Sequence, residues 1–152
     1  MKIFIDGDAC PSKDIAYDLS AKYDVEVIII MSIKHYSDAN CGREVIYVDS
    51  DPQAADMAIV NRVSGGDIVI TSDYGLASLC IMKRCICLSF TGNIIDINNI
   101  DELLSIRYIN QKIREYGGRT KGPPKRNSRD DFRFKRNLEK IILQNLRPQL
   151  ET

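Results

Sequence analysis

Apolar and polar positions alternate in two rhythms along this chain. Residues 2–6 form a short apolar run that ends in a carboxylate, and the pattern predicts a strand. Residues 12–22 carry Ile15, Ala16 and Leu19 at helical spacing, with Ser12 placed as an N-cap. Residues 25–31 (VEVIIIM) are β-branched and nearly all apolar, as a strand covered on both faces of a parallel sheet should be. Another short strand is predicted over 44–48. A helix over 51–63 opens with Asp51 as cap and Pro52 in its first turn, and Gly65-Gly66 ends it. A strand over 67–71, a helix over 74–83 and a strand over 85–88 follow. A longer helix over 99–115 carries Leu103, Leu104, Ile106, Tyr108, Ile109 and Ile113. The stretch 117–126, GGRTKGPPKR, cannot hold regular structure and reads as a flexible basic linker. A last amphipathic helix is predicted over 129–146, with Phe132, Phe134, Leu138, Ile141, Ile142 and Leu143. No internal repeat is visible.

Strands alternating with helices predict an α/β fold, a three-layer arrangement in which a parallel sheet carries helices on both faces. In an open sheet of this kind, sites form beyond the carboxyl ends of the strands, where the strand order reverses. The residues that leave those ends are therefore the ones to examine.

They are acidic. The first strand exits into Asp6-Gly7-Asp8, and the fourth into Thr71-Ser72-Asp73. If the two strands are neighbours, Asp6, Asp8 and Asp73 meet in one crevice. Asp56, one turn into the helix before the fourth strand, can reach the same place. Crowded carboxylates repel one another unless a positive charge sits among them. Hard oxygen donors suit Mg²⁺ or Mn²⁺, which retain waters and take substrate phosphates as further ligands. Thr71 and Ser72 could add hydroxyl contacts, and Gly7 allows close backbone approach. Aspartate also caps helices and ends strands, the role assigned to Asp14, Asp51 and Asp67, and Asp73 could serve that purpose too. Cys10 sits beside the first pair of acids as a small residue at a tight turn. His35, in the polar loop 32–40, reads as a surface residue, as do Arg43 and Lys83.

At 152 residues the chain suits one domain with one core. The expected division is an α/β domain over 1–116, a basic Gly/Pro linker over 117–128, and a C-terminal helix over 129–147 packing on or extending that domain. No apolar run approaches the ~20 residues that cross a bilayer, and the N-terminus does not resemble a signal peptide. A cytoplasmic location is expected. Five cysteines with no C-x-x-C pair and one histidine do not make a structural zinc site, and the thiols are read as reduced.

The formal net charge is zero, yet residues 1–105 carry 8 Lys/Arg against 16 Asp/Glu, whereas residues 106–152 carry 13 against 5. An acidic body can collect cations and a basic tail can meet phosphates. Arg119, Lys121, Lys125, Arg126, Arg129 and Arg133 are the candidate nucleic-acid contacts. RNA is the expected partner, no membrane is, and a homodimer stays open.

Several segments resemble one family. Phe4-Ile5-Asp6-Gly7-Asp8-Ala9-Cys10-Pro11, Ala54-Ala55-Asp56, and Gly66-Asp67-Ile68-Val69-Ile70-Thr71-Ser72-Asp73 with Leu76-Ala77 are similar to the YaiI/YqxD family of uncharacterised bacterial proteins. Phe90-Thr91 with Asn93-Ile94, and the tail from Gly122 through Asp130 to Phe134, extend the resemblance to about residues 2–140. The resemblance implies a PIN-like domain with sheet order 3-2-1-4-5. It further implies that Asp6, Asp56 and Asp73 are catalytic and, with Asp8, bind Mg²⁺ or Mn²⁺ to cut RNA. The tail departs from the family pattern in having Asp130-Asp131 where Asp-Arg is usual, and Lys125-Arg126 where an aromatic is usual. Those departures leave a fixed docking of the tail without support.

Three functions fit these residues. The first is a metal-dependent nuclease acting on RNA or single-stranded nucleic acid. The second is a non-catalytic nucleic-acid or ribonucleoprotein binding module, with Tyr108, Tyr116 and Phe132 available to stack bases. The third is a phosphohydrolase of the haloacid-dehalogenase type, suggested by Asp6-Gly7-Asp8 at a strand end.

Overall fold

Six strands and five helices alternate along the chain in the computed structural model, which describes residues 1–150 apart from Ala9, Cys41, Pro52 and Pro123, and for 148–150 the main chain only. The strands are β1 (Lys2–Asp6), β2 (Glu26–Ser32), β3 (Val45–Val48), β4 (Ile68–Ile70), β5 (Ile86–Leu88) and β6 (Ile94–Ile95). The helices are α1 (Lys13–Tyr23), α2 (Ala54–Arg62), α3 (Tyr74–Met82), α4 (Ile100–Glu115) and α5 (Ser128–Leu150). The fold is mixed α/β, as the alternating pattern predicts.

The sheet runs β3-β2-β1-β4-β5-β6. All pairs are parallel except β5–β6, an antiparallel edge that the sequence pattern did not announce. Two isoleucines are too short a run for alternation to register, so β6 is legible only as a hairpin return. The expected order 3-2-1-4-5 is otherwise present, and its reversal falls between β1 and β4.

Alternation along the strands divides the core in two. Ile3, Ile5, Val27, Ile29, Met31, Ile68, Ile70 and Leu88 face one side, where Ala16 and Leu19 of α1 and Phe134, Leu138, Ile141 and Ile142 of α5 cover them. Phe4, Ile28, Ile30, Val69 and Cys87 face the other, under α2, α3 and the start of α4. Both faces are dry, which is why β1, β2 and β4 read as continuous apolar runs.

Several local expectations need correction. Ser12 precedes α1 but does not cap it, because its hydroxyl donates to the Phe90 carbonyl at 3.1 Å. The helix expected over 51–63 starts at Ala54. Asp51 instead closes a turn, its carboxylate accepting from Gln53 N at 2.9 Å and its carbonyl from Ala54 N at 3.0 Å. The role proposed for Pro52 and the reduced thiol of Cys41 lie outside the described residues.

The largest correction concerns the tail. The described residues between α4 and α5 form no helix or strand, as expected, yet the segment is tied down. The Arg126 guanidinium donates to the Phe90 carbonyl and to Ser12 Oγ, and it pairs with Asp131. Asn137 Nδ2 donates to the Gly92 carbonyl at 2.6 Å, and Arg133 to the Thr91 carbonyl at 3.2 Å. Phe134 is fully buried. The docking is therefore fixed, and Lys125-Arg126, read as a departure from the family pattern, contributes one of its anchors.

Candidate functional site

The pleat decides which carboxylates can meet. On β1, Phe4 faces the α2–α4 side, so Asp6, two residues on, leaves the strand toward the same side. On β4, Val69 faces that side and Thr71 follows it. Ile5 and Ile70 are paired in register, which sets Asp6 and Thr71 beside each other just beyond the sheet. Their side chains join, Thr71 Oγ1 donating to Asp6 Oδ2 at 2.9 Å. Thr71 is completely buried. Its oxygen also accepts from Asp73 N at 3.0 Å, so one hydroxyl links the ends of β1 and β4 to the start of α3.

Asp73 caps α3. Its Oδ1 accepts from Gly75 N at 2.8 Å and Leu76 N at 3.2 Å, which realises the capping role foreseen for it. The same oxygen receives Arg107 Nη1 from α4 at 3.2 Å. Asp56 lies in the first turn of α2, whose N-terminus also points to the carboxyl edge of the sheet.

Electrostatics tie three of the acids together. Burial lifts the Asp6 carboxyl above its ordinary range, the Thr71 hydrogen bond opposes the rise, and the charges of Asp8 and Asp73 add to it. Asp56 is pushed up to about 6, by burial first and then by Asp73 and Asp6, with Arg107 opposing. Asp6, Asp56 and Asp73 thus form one acidic group with Arg107 as the cation beside it.

Asp8 turns away. Its Oδ1 accepts from Ser32 N at 2.8 Å, at the end of β2, and lies 4.0 Å from His35 Nε2. It acts on Asp6 only through its charge. In the rotamers adopted, and among the described residues, no three Asp, Glu, His or Cys side chains form a ready metal cage.

The remaining expected residues divide by exposure. Ser72 is exposed and its Oγ accepts from Phe90 N at 3.1 Å. Cys10 is buried, and burial pushes its thiol up to about 11, so it stays protonated at neutral pH and cannot act as a thiolate. Arg119, Lys121, Lys125 and Arg129 are exposed. Arg126 and Arg133 direct donors into the protein, Arg133 also pairing with Asp130 at 3.1 Å.

Sequence reasoning missed Arg107. The signal was present, because Arg107 stands four residues after Leu103 and three after Leu104, on the helical face that packs toward α3. Beside that apolar stripe, a cation one turn on from Leu103 can reach an acidic strand end.

The chain matches the model of the family described as "Uncharacterized BCR, YaiI/YqxD family" over residues 4–144. It is 46% identical over 147 residues to a UPF0178 protein of Alkaliphilus metalliredigens, covering 97% of this chain and 95% of the relative. A UPF0178 protein of Natranaerobius thermophilus is 46% identical over 144 residues, covering 95% and 97%. One from Clostridium kluyveri is 44% identical over 143 residues, covering 94% and 93%. No solved structure matches the chain. With sequence likeness running through both strand ends and the docked tail, the chain belongs to the YaiI/YqxD family.

Proposed function

We propose that this protein is a Mg²⁺- or Mn²⁺-dependent nuclease of the PIN-like kind, hydrolysing phosphodiester bonds in RNA or single-stranded nucleic acid. One observation carries the reading: Asp6, Asp56 and Asp73, from three separate stretches of chain, share an electrostatic site where the sheet order reverses. Burial is the main cause of the raised Asp6 and Asp56 carboxyls, and the neighbouring aspartates add to it, an environment that a bound cation would relieve.

The donor set suits a hard divalent cation. Mg²⁺ is commonly held by one or two carboxylates, with waters and substrate phosphates completing its shell. Asp6 and Asp56 would hold it, and Asp73 would contribute its charge while capping α3. When bound, such an ion supplies a polarised water and offsets charge on the phosphoryl group. The chain's own residues do the rest. Thr71 orients Asp6 and holds its proton affinity down. Arg107, half-exposed beside Asp73, is placed to meet a substrate phosphate.

The tail supports a nucleic-acid substrate. Lys135, Arg136, Lys140 and Arg147, with Phe132 and the single acid Glu139, line a groove of roughly 620 Å³ on the outer face of α5. A phosphate backbone would be held there without reading of sequence.

The test is hydrolysis of single-stranded RNA by purified protein with Mn²⁺, beside an Asp6→Asn preparation made identically. Loss of turnover in the variant is expected, whereas equal turnover in both would remove the proposal. A second reading is a non-catalytic nucleic-acid binding module, favoured by the engagement of Asp8 and Asp73 with main-chain amides. RNA binding that ignores both metal and the Asp6→Asn change, without turnover, would select it.

A further inference from the structure

Beside the carboxylates lies a cleft of roughly 720 Å³, within the range of small-molecule sites. Tyr74, Leu103, Ser72, Phe90, Asn93 and Arg126 are among the residues that line it. We propose that this cleft receives the base of a nucleotide, with Tyr74 offering the stacking surface, Phe90 forming part of the wall and Asn93 reading the base edge. The placement of that nucleotide's phosphate at Asp6 and Asp73 rests on the nuclease reading; the base site itself does not.

The cleft and the acidic group share a wall. Ser72 lies between Thr71, which bonds Asp6, and Asp73, which caps α3, while its own oxygen accepts the Phe90 amide. Tyr74 directly follows Asp73. A ligand spanning the two sites would place a flat, neutral end in the cleft and, with a divalent cation on the carboxylates, an anionic end beside it.

The lining selects the neutral end. Arg126 is matched by Asp131, so the cleft carries no uncompensated cation for a phosphate or a carboxylate. Tyr74 is part-exposed on the α2–α4 side of the sheet, whereas Phe90 is part-exposed but packs against the core on the α1–α5 side. Stacking on the Tyr74 ring stabilises any base, because every base presents a π face. Asn93 is exposed; its Nδ2 donates to Thr91 Oγ1 at 3.3 Å, and the second amide hydrogen and the carbonyl oxygen can meet a base edge.

The walls are also preformed. Asn99 Nδ2 donates to the Ile94 carbonyl at 2.8 Å, and Asn99 Oδ1 accepts from Asp96 N at 2.9 Å. Ser89 Oγ accepts from Asn93 N at 3.0 Å, and Arg126 pins the Phe90 carbonyl from the tail. Little ordering is left for the ligand to impose.

The test is an NMR titration of the full chain carrying Asp6→Asn, in EDTA, with the four ribonucleosides and with ribose as control. Shifts clustered at Tyr74, Phe90, Asn93 and Leu103 are expected with nucleosides and not with ribose. Tyr74→Ala should weaken binding at least roughly fivefold, within the range for loss of one stacked base, and Tyr74→Phe should retain it. Asn93→Ala should narrow the differences among the four nucleosides with the fold intact. No shifts, equal shifts with ribose, or shifts elsewhere would overturn the proposal. Absence of RNA cleavage by the wild-type protein would leave it standing. RNA cleavage with an unchanged KM in Tyr74→Ala would remove it and spare the nuclease.

Discussion

The Thr71 hydroxyl donates a hydrogen bond to Asp6 Oδ2 at 2.9 Å, and so joins the ends of the two strands between which the sheet reverses. Thr71→Val keeps the shape and removes the donor. The Asp6 carboxyl should then rise further, because this bond is what opposes the effect of burial. A carbon-13 titration of Asp6 would register the rise, and the acid limb of any hydrolytic activity should move up with it. Stability should fall by about 1–2 kcal/mol as Asp73 N also loses its acceptor. An unchanged Asp6 titration would show that the bond contributes nothing in solution.

Asp56 makes the fold pH-dependent in a stated direction. Its carboxyl titrates at about 6 in the folded protein against 3.8 ordinarily. The folded state therefore binds more protons between those values, and stability declines as pH rises through them. Asp56→Asn removes the cost of the buried charge. Discounted for solvent screening, the gain should be about 1 kcal/mol at pH 8 and close to nothing at pH 3.5. Urea unfolding at the two pH values checks this, and a gain confined to the acid side would contradict it.

Asp73 serves as cap and as charge, and two substitutions separate the roles. Asp73→Ala should cost about 1 kcal/mol through loss of the bonds to Gly75 N and Leu76 N. Asp73→Asn should preserve the cap while lowering the Asp56 pKa, because one of the charges that raise it is gone. If both variants lose equal stability, the cap is not what Asp73 supplies.

Gly92 is where the tail fits against the sheet edge. A Cβ there would stand 2.3 Å from Phe134 N, on a backbone with φ of +88°. Gly92→Ala should destabilise by at least about 2 kcal/mol, through strain and the displacement of Phe134. Hydrogen exchange should quicken along α5 before it does along β1. A fold of wild-type stability would mean that the turn can shift freely.

These relationships were unevenly legible in the sequence. The apolar runs of β1, β2 and β4 announced a buried parallel sheet because both of their faces are dry. Asp6 stood out because two acids one residue apart at the end of an apolar strand exceed what one cap needs, whereas Asp73 was legible equally as a cap, which it is. The direction taken by Asp8 was not legible, since it depends on the free amide of Ser32 at the end of a neighbouring strand. The role of Arg107 was hidden for a similar reason, because its partner lies 34 residues away in the chain. The tail misled most. Gly, Pro and Lys/Arg indicate missing secondary structure correctly, but they do not report whether an irregular segment is pinned by side chains such as Arg126.

One face of the sheet receives part of its cover from α5, which is made long after the strands it covers. Until those residues leave the ribosome, Ile3, Ile5, Val27 and Ile29 can be covered from α1 alone. The chain between α1 and α5 thus emerges with a sticky, half-dressed surface, and α5 acts as its closing clasp.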